Sequence, residues 1–302
     1  MRFHWREQRL LLVERLAHET YRFAPLQYIE KPDGEVIHLW AARDALVLKR
    51  LSRLLPRYLG LSRRCTHVKT HGGLKATVAR TQRHLGRYRF VLRTDIQGYY
   101  EHIDHEVLLC QLDRIIPDRF VMNLLSQALK RCVDRGGSYR DIRRGIARGS
   151  PLSPILGALY LKQVDEWFAG QRLYYVRYMD DVLIMCERRW ALRRAVKQLY
   201  ALLAPLKLRL HPDKTFIGRI ERGFDFLGYR FSRQPLRLAQ VTVARFKARL
   251  HRLYEQQQKA PEMGADLLGE YVTRWRRWAR AGLDGLPFRL TDESQPQESC
   301  SQ

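Results

Sequence analysis

Two periods of apolar residues alternate along this chain. Leu10, Leu11, Leu12, Val13 and Leu16 recur near helical spacing, which predicts a helix from the N-terminus to about residue 28, closed by Pro25. Residues 35–40 read as the return strand of a hairpin turned at Lys31-Pro32-Asp33-Gly34, and residues 42–59 revert to the helical period. A basic loop over 63–73 leads into a helix ending near Leu85, whose outer face carries Arg80, Arg83 and His84. Phe90-Val91-Leu92-Arg93-Thr94-Asp95-Ile96 reads as a buried strand ending in an acid. Asp104 then caps a helix over 106–112, and 118–132 is mostly helical.

The second half continues in the same manner, with no internal repeat. A loop bearing glycine and proline, residues 145–154, opens a long apolar helix over 155–168. Leu173-Tyr174-Tyr175-Val176-Arg177 and Val182-Leu183-Ile184-Met185-Cys186 flank Tyr178-Met179-Asp180-Asp181, which predicts a buried hairpin with two acids at its tip. A helix over 190–203, the turn His211-Pro212-Asp213-Lys214 and a hairpin through 216–218 and 224–229 follow. Beyond Phe231 the composition shifts. Residues 241–258 and 267–281 read as basic helices, the second with Tyr271, Trp275 and Trp278 on one face, and the chain after about residue 286 reads as a disordered tail.

Charge narrows the function. The chain carries 55 Lys plus Arg against 31 Asp plus Glu, a formal charge of +24, which favours a polyanionic partner. No apolar run approaches the roughly 18 to 20 residues of a spanning helix, and aromatics interleave with arginines, so nucleic acid is expected rather than membrane. Cys65, Cys110, Cys132, Cys186 and Cys300 include no Cys-x-x-Cys pair and no signal peptide is seen, a usage suited to the cytoplasm.

Carboxylates held side by side repel one another, and burial makes their charged forms costlier, so Asp180 and Asp181 call for metal ions or strong donors. A polar turn is the competing reading. Asp95 tips the balance: on a neighbouring strand it would bring three carboxylates together, enough to hold two Mg²⁺ ions for in-line phosphoryl displacement. On so basic a chain the expected reaction is nucleotidyl transfer. Cys65, His67 and His71 lack a fourth soft ligand nearby and read as part of a basic loop rather than a zinc site.

The ordered motifs resemble the reverse transcriptase family, in particular its bacterial branch of group II intron, retron and unassigned defence-associated enzymes. The resemblance runs from about residue 28 to 231. Lys31-Pro32-Asp33-Gly34 and Arg43-Asp44 match fingers motifs. Thr94-Asp95-Ile96-Gln97-Gly98-Tyr99-Tyr100 with Ile103-Asp104-His105 matches the first catalytic palm motif. Gly149-Ser150-Pro151-Leu152-Ser153-Pro154 resembles the loop and helix that pack on template and nucleotide. Tyr178-Met179-Asp180-Asp181 matches the catalytic hairpin, Pro212-Asp213-Lys214-Thr215 the next motif, and Phe226-Leu227-Gly228 the primer grip.

This resemblance implies an α+β right-hand polymerase: fingers over 1–89, an RRM-like antiparallel palm with interspersed fingers elements over 90–231, a short helical thumb over 232–285 and a tail over 286–302. It implies an RNA-directed DNA polymerase using dNTPs, a primer, an RNA template and two Mg²⁺ ions, with Mn²⁺ as a substitute. Asp95 and Asp180 would bind both ions, Asp181 would complete the cluster, and Ile96 is counted with the metal set. Tyr100 is the implied steric gate against a 2′-hydroxyl, unless Tyr99 is the ring that faces the sugar. Backbone N–H groups from Ile96 through Gln97, Gly98 and Tyr99 to Tyr100 would hold phosphates, Lys31 would neutralise the triphosphate, and Lys214 would protonate pyrophosphate. Arg245, Lys247, Arg249 and Arg252 are implied near duplex phosphates. Trp275, Arg276, Arg277 and Trp278 either grip nucleic acid or, for the two rings, fill the thumb core.

The chain departs from the family pattern at two places. Arg148 stands where relatives carry Gln in the loop before Gly149, which predicts altered contact with template or nucleotide. Val36-Ile37-His38-Leu39-Trp40 replaces an Arg-Pro-Leu in the fingers hairpin, leaving Arg43 or His38 as the second triphosphate cation. With no appended endonuclease motif, the expected partners are a dedicated noncoding RNA or another protein, in phage defence or retroelement mobility. The rival readings are a noncatalytic RNA-binding splicing or scaffold protein and a template-independent DNA polymerase.

Overall fold

A computed structural model describes residues 5–30, 36–147, 149–259 and 267–280. Lys31-Pro32-Asp33-Gly34, Arg148 and the expected tail lie outside the described residues. Helix α1 (Trp5–Ala17) ends well before residue 28. The residues expected to prolong it instead form β1 (Leu26–Glu30), antiparallel to β2 (Val36–Leu39), because Leu26 is buried against Val133 and Ala147 and the strand finds partners on both edges. The next helix is α2 (Ala42–Leu54), and Pro56, which lacks the amide to continue it, splits off the single turn α3 (Pro56–Leu59).

Helix α4 (Gly73–Leu85) leads into β3 (Phe90–Asp95), followed by α5 (Tyr99–His102), α6 (His105–Asp113) and α7 (Arg119–Leu129). Asp104 caps α6 as expected, accepting from the amides of Glu106 and Val107 at 3.1 Å. The helix expected to Cys132 stops at Leu129, because Gly136-Gly137 turns a hairpin, β4 (Cys132–Arg135) with β5 (Ser138–Asp141). Strand β4 also pairs in parallel with β1, so the first sheet runs β2-β1-β4-β5.

The long apolar helix is two, α8 (Ser153–Tyr160) and α9 (Lys162–Ala169), interrupted at Leu161. Then come β6 (Tyr174–Tyr178), β7 (Asp181–Cys186), α10 (Arg189–Leu203), β8 (Phe216–Arg219), β9 (Phe224–Phe226), β10 (Tyr229–Phe231), β11 (Arg237–Leu238), α11 (Gln240–Lys259) and α12 (Leu267–Arg280). The expected hairpin between 216–218 and 224–229 does not form. Strand β8 joins β3 in an antiparallel sheet ordered β6-β7-β3-β8, and β9 pairs with β10 in a separate three-stranded sheet.

Alternation gives the four-stranded sheet two faces. Leu92, Val182 and Ile184 pack with α6 to α10; Val91, Leu183 and Met185 pack with α4, β9, β10 and α12. Arg93, Asp95 and Asp181 continue the second set, at the end of the strands. No helix among the described residues is long and apolar enough to cross a membrane.

Candidate active site

The register of β3 against β7 sets Asp95 directly opposite Asp181, and the amide of Ile96 donates to the carbonyl of Asp180 at 3.2 Å. Burial, helped by the neighbouring charge of Asp95, pushes Asp180 and Asp181 up to about 6. Two cations answer this charge. Lys214 Nζ lies 2.7 Å from Asp95 Oδ2; Arg93 Nη2 lies 3.9 Å from Asp181 Oδ1, while Arg93 Nη1 donates to the Lys214 carbonyl at 3.0 Å. Arg93 was not anticipated, although its position two residues before Asp95 on an alternating strand puts both on one face.

Among the described residues no trio of His, Cys, Asp or Glu is gathered ready to hold an ion. Asp95 is engaged by Lys214 and Asp181 is turned toward Arg93, so side-chain rotation would have to free the carboxylates. Their chemistry fits a hard divalent cation: the donors are oxygens, and the raised Asp180 and Asp181 mark negative charge that the protein leaves partly unanswered. Cys65, His67 and His71 make no rival centre, since both ring nitrogens of His67, Nδ1 of His71 and the Cys65 carbonyl are spent on hydrogen bonds within the loop and its neighbours.

The two tyrosines after Gly98 have different surroundings. Tyr99 is buried, and its hydroxyl donates to the carbonyl of Gly157 in α8. Tyr100 is half-buried and lies near Asp180, whose charge joins burial in pushing its hydroxyl up to about 12. Both rings rest on Gly157, where a Cβ would meet Tyr100 Cε1 at 3.0 Å and Tyr99 Cε1 at 3.2 Å. Of the amides expected to hold phosphates, two are already engaged, since Ile96 donates to Asp180 and Gln97 donates to the Arg209 carbonyl at 2.9 Å. Gly98, Tyr99 and Tyr100 are the members left for that role.

Arg43 turns away toward α1, near Asp44 at 3.7 Å, in a small cavity shared with Arg15 and Tyr21. The buried Asp44 also accepts from Tyr21 and from the amide of Ala24, so it anchors the segment after α1. Gly149 lines a cleft of about 1250 Å³ beside α5, where Arg131, Arg140, Arg143 and Arg144 stand with Glu101, Asp104 and Asp141; Asp95, Asp180 and Asp181 do not line it. Ser150 is buried, with its hydroxyl accepting from the amide of Leu152.

Phe226, Leu227 and Gly228 form the turn from β9 to β10. Gly228 has φ +87°, a Cβ there would meet Trp278 at 2.9 Å, and its carbonyl accepts from Ala239 and from Thr242 Oγ1, both at 3.0 Å. Arg245, Lys247, Arg249 and Arg276 are exposed on the helical pair that this turn supports. Trp275 is not exposed with them. Its ring stacks on Phe246 with centroids 3.9 Å apart, and Trp278 packs on Tyr229, so both rings fill the core of the pair.

A lone arginine in the apolar run before the acids marks another feature that sequence reasoning passed over. Arg177 is fully buried and pairs with the equally buried Asp165 through Nε at 2.8 Å and Nη2 at 2.5 Å; Tyr175 donates to the same carboxylate at 2.7 Å. A charge inside an apolar strand needs a partner, and this was the available signal.

A family model described as reverse transcriptase (RNA-dependent DNA polymerase) matches residues 42–231, well over half of the chain. The chain belongs to the reverse transcriptase family. Members of this family use divalent metal generally, in keeping with the oxygen donors at Asp95, Asp180 and Asp181. Protein YkfC of Escherichia coli is 26% identical over 192 residues, covering 52% of this chain and 50% of that protein. The group II intron-encoded protein LtrA of Lactococcus lactis is 27% identical over 96 residues, 32% of this chain and 16% of that protein. The chain thus spans about half the length of YkfC and less of LtrA. Among solved structures, apo telomerase from Candida tropicalis superposes with a TM-score of 0.53 at 12% identity, over 70% of this chain and 47% of that one, which bears on the fold alone.

Proposed function

We propose that this chain is an RNA-directed DNA polymerase that makes cDNA by nucleotidyl transfer. The observation that carries the reading is the cross-strand pair of Asp95 and Asp181, with Asp180 in the adjoining turn, in a chain of the reverse transcriptase family. In this reading the β6-β7-β3-β8 sheet is the palm of a right-hand polymerase, the β2-β1-β4-β5 sheet belongs to the fingers, and α11 with α12 is a short thumb.

Asp95, Asp180, Asp181 and Ile96 would hold two Mg²⁺ ions, or Mn²⁺ in their place, which when bound stabilise the attacking and leaving oxygens of the displacement. Tyr100 closes the space under the sugar, so a 2′-hydroxyl is excluded, while Tyr99 braces it from the core. The amides of Gly98, Tyr99 and Tyr100 orient phosphates, with Lys31 completing their neutralisation. Lys214, already within reach of Asp95, delivers a proton to departing pyrophosphate. Phe226, Leu227 and Gly228 position the primer end, while the buried Ser150 supports Gly149 at the cleft beside α5, whose four arginines suit template phosphates. The template would be a dedicated RNA of a retroelement or defence system, copied in the cytoplasm.

Extension of a primer on poly(rA) with dTTP tests the reading. Wild type should extend the primer only with a divalent ion, and Asp180→Ala plus Asp181→Ala should abolish extension. Absence of metal-dependent extension on every template would instead favour an RNA-binding scaffold.

A further inference from the structure

The turn that presents Asp180 is held in a conformation that most residues avoid. Met179 has φ +55°, in the left-handed region where a side chain is strained. Both of its backbone polar groups are taken by side chains, one from a loop remote in sequence and one from the strand that leads into the turn. The amide of Met179 donates to His67 Nδ1 at 2.9 Å, and its carbonyl accepts from Arg177 Nη1 at 2.8 Å. Since Nδ1 of His67 accepts, its proton sits on Nε2, which donates to the Pro154 carbonyl at 2.9 Å. Pro154 stands in the first turn of α8, the helix whose Gly157 seats Tyr99 and Tyr100. On the other side, Arg177 is locked by Asp165 and also donates to the Ala158 carbonyl of α8 at 3.2 Å.

We propose that His67 is a positioning residue that fixes the Met179 peptide and so the metal-binding acid Asp180, and that through Pro154 it also registers this turn against the helix under Tyr100. Arg177 is the opposing jaw of the clamp. The two links are separable in chemistry, one an acceptor at Nδ1 and the other a donor at Nε2. The proposal rests on the polymerase reading for the role of Asp180 as a metal ligand and for its activity readouts. Its first consequence is for ion binding by the protein alone.

The test uses the full chain with Mn²⁺ as the probe, its binding followed by electron paramagnetic resonance, beside single-nucleotide extension on poly(rA). His67→Ala, verified as folded by circular dichroism and its melting curve, should bind Mn²⁺ about 10-fold more weakly and lose about 10- to 100-fold in kcat with KM for dTTP near wild type. His67→Asn keeps an acceptor near Nδ1 but is too short for Pro154. It should recover most of the Mn²⁺ affinity and kcat, while ribonucleotide incorporation rises several-fold relative to His67→Gln, which reaches toward Pro154. A folded His67→Ala with wild-type Mn²⁺ affinity overturns the positioning role. Equal ribonucleotide discrimination in His67→Asn and His67→Gln overturns the link to α8. If wild type binds Mn²⁺ but extends no primer, the polymerase reading fails, and the affinity comparison still decides the clamp.

Discussion

Lys214 Nζ sits 2.7 Å from Asp95 Oδ2, so an ammonium occupies the place beside the carboxylate where a divalent ion is expected. A bound ion would therefore have to displace the lysine from Asp95. Lys214→Met should tighten divalent-ion binding by the free protein several-fold and yet slow nucleotide incorporation by about 100-fold, the scale of a lost general acid. Rapid-quench incorporation beside Mn²⁺ titration checks both halves, and unchanged incorporation would remove Lys214 from the chemistry.

The acids also leave a signature in stability. Asp180 and Asp181 titrate near 6 in the folded chain, above the value near 4 of an unfolded carboxyl. The folded state thus holds more protons between about pH 4 and 6, and stability of the ion-free chain falls as pH rises through that window. Asp181→Asn should raise the melting temperature in EDTA at pH 7.5 by about 2–4 °C and change it little at pH 4. Melting curves from pH 4 to 8 decide the point; a variant as labile as wild type at pH 7.5 speaks against it.

Tyr99 and Tyr100 should separate by assay. Tyr100→Ala should admit ribonucleotides with a gain of about 10- to 100-fold relative to deoxynucleotides, with stability nearly kept. Tyr99→Phe removes the bond to Gly157 and should cost about 1–3 kcal/mol in urea unfolding while leaving sugar selection intact. The reverse pattern would make Tyr99 the gate.

The buried ion pair under the turn gives a fourth expectation. Arg177→Met leaves Asp165 charged and unpaired in the core and should destabilise the chain by about 3–5 kcal/mol, whereas Arg177→Met with Asp165→Leu should recover part of the loss. Urea melts of the two variants provide the comparison, and equal midpoints would mean that the pair does not act as a unit.

Much of this site was legible because strands buried on both faces leave long apolar runs. The runs around Asp95 and Asp180-Asp181 yielded β3, β6 and β7, and the acids at their ends implied the meeting now seen across Asp95 and Asp181. The failures share a cause, namely partners remote in sequence. Leu26–Glu30 is a strand because Leu26 meets Val133; Phe216 pairs with Arg93 rather than with the following strand; Trp275 packs on Phe246. His67 carried no local mark of its hold on Met179. Gly136-Gly137 did carry one, a two-residue hairpin turn, and was passed over.

The parallel pairing of β1 with β4 has a consequence for biosynthesis. Leu26 leaves the ribosome long before its neighbour Val133 does, and at translation rates of about 5–20 residues per second the delay is roughly 5 to 20 s. Through that interval the nascent N-terminal hairpin exposes an unpaired edge, a ready template for another chain, and the lobe can close only after the strand carrying Arg93 and Asp95 has already been made.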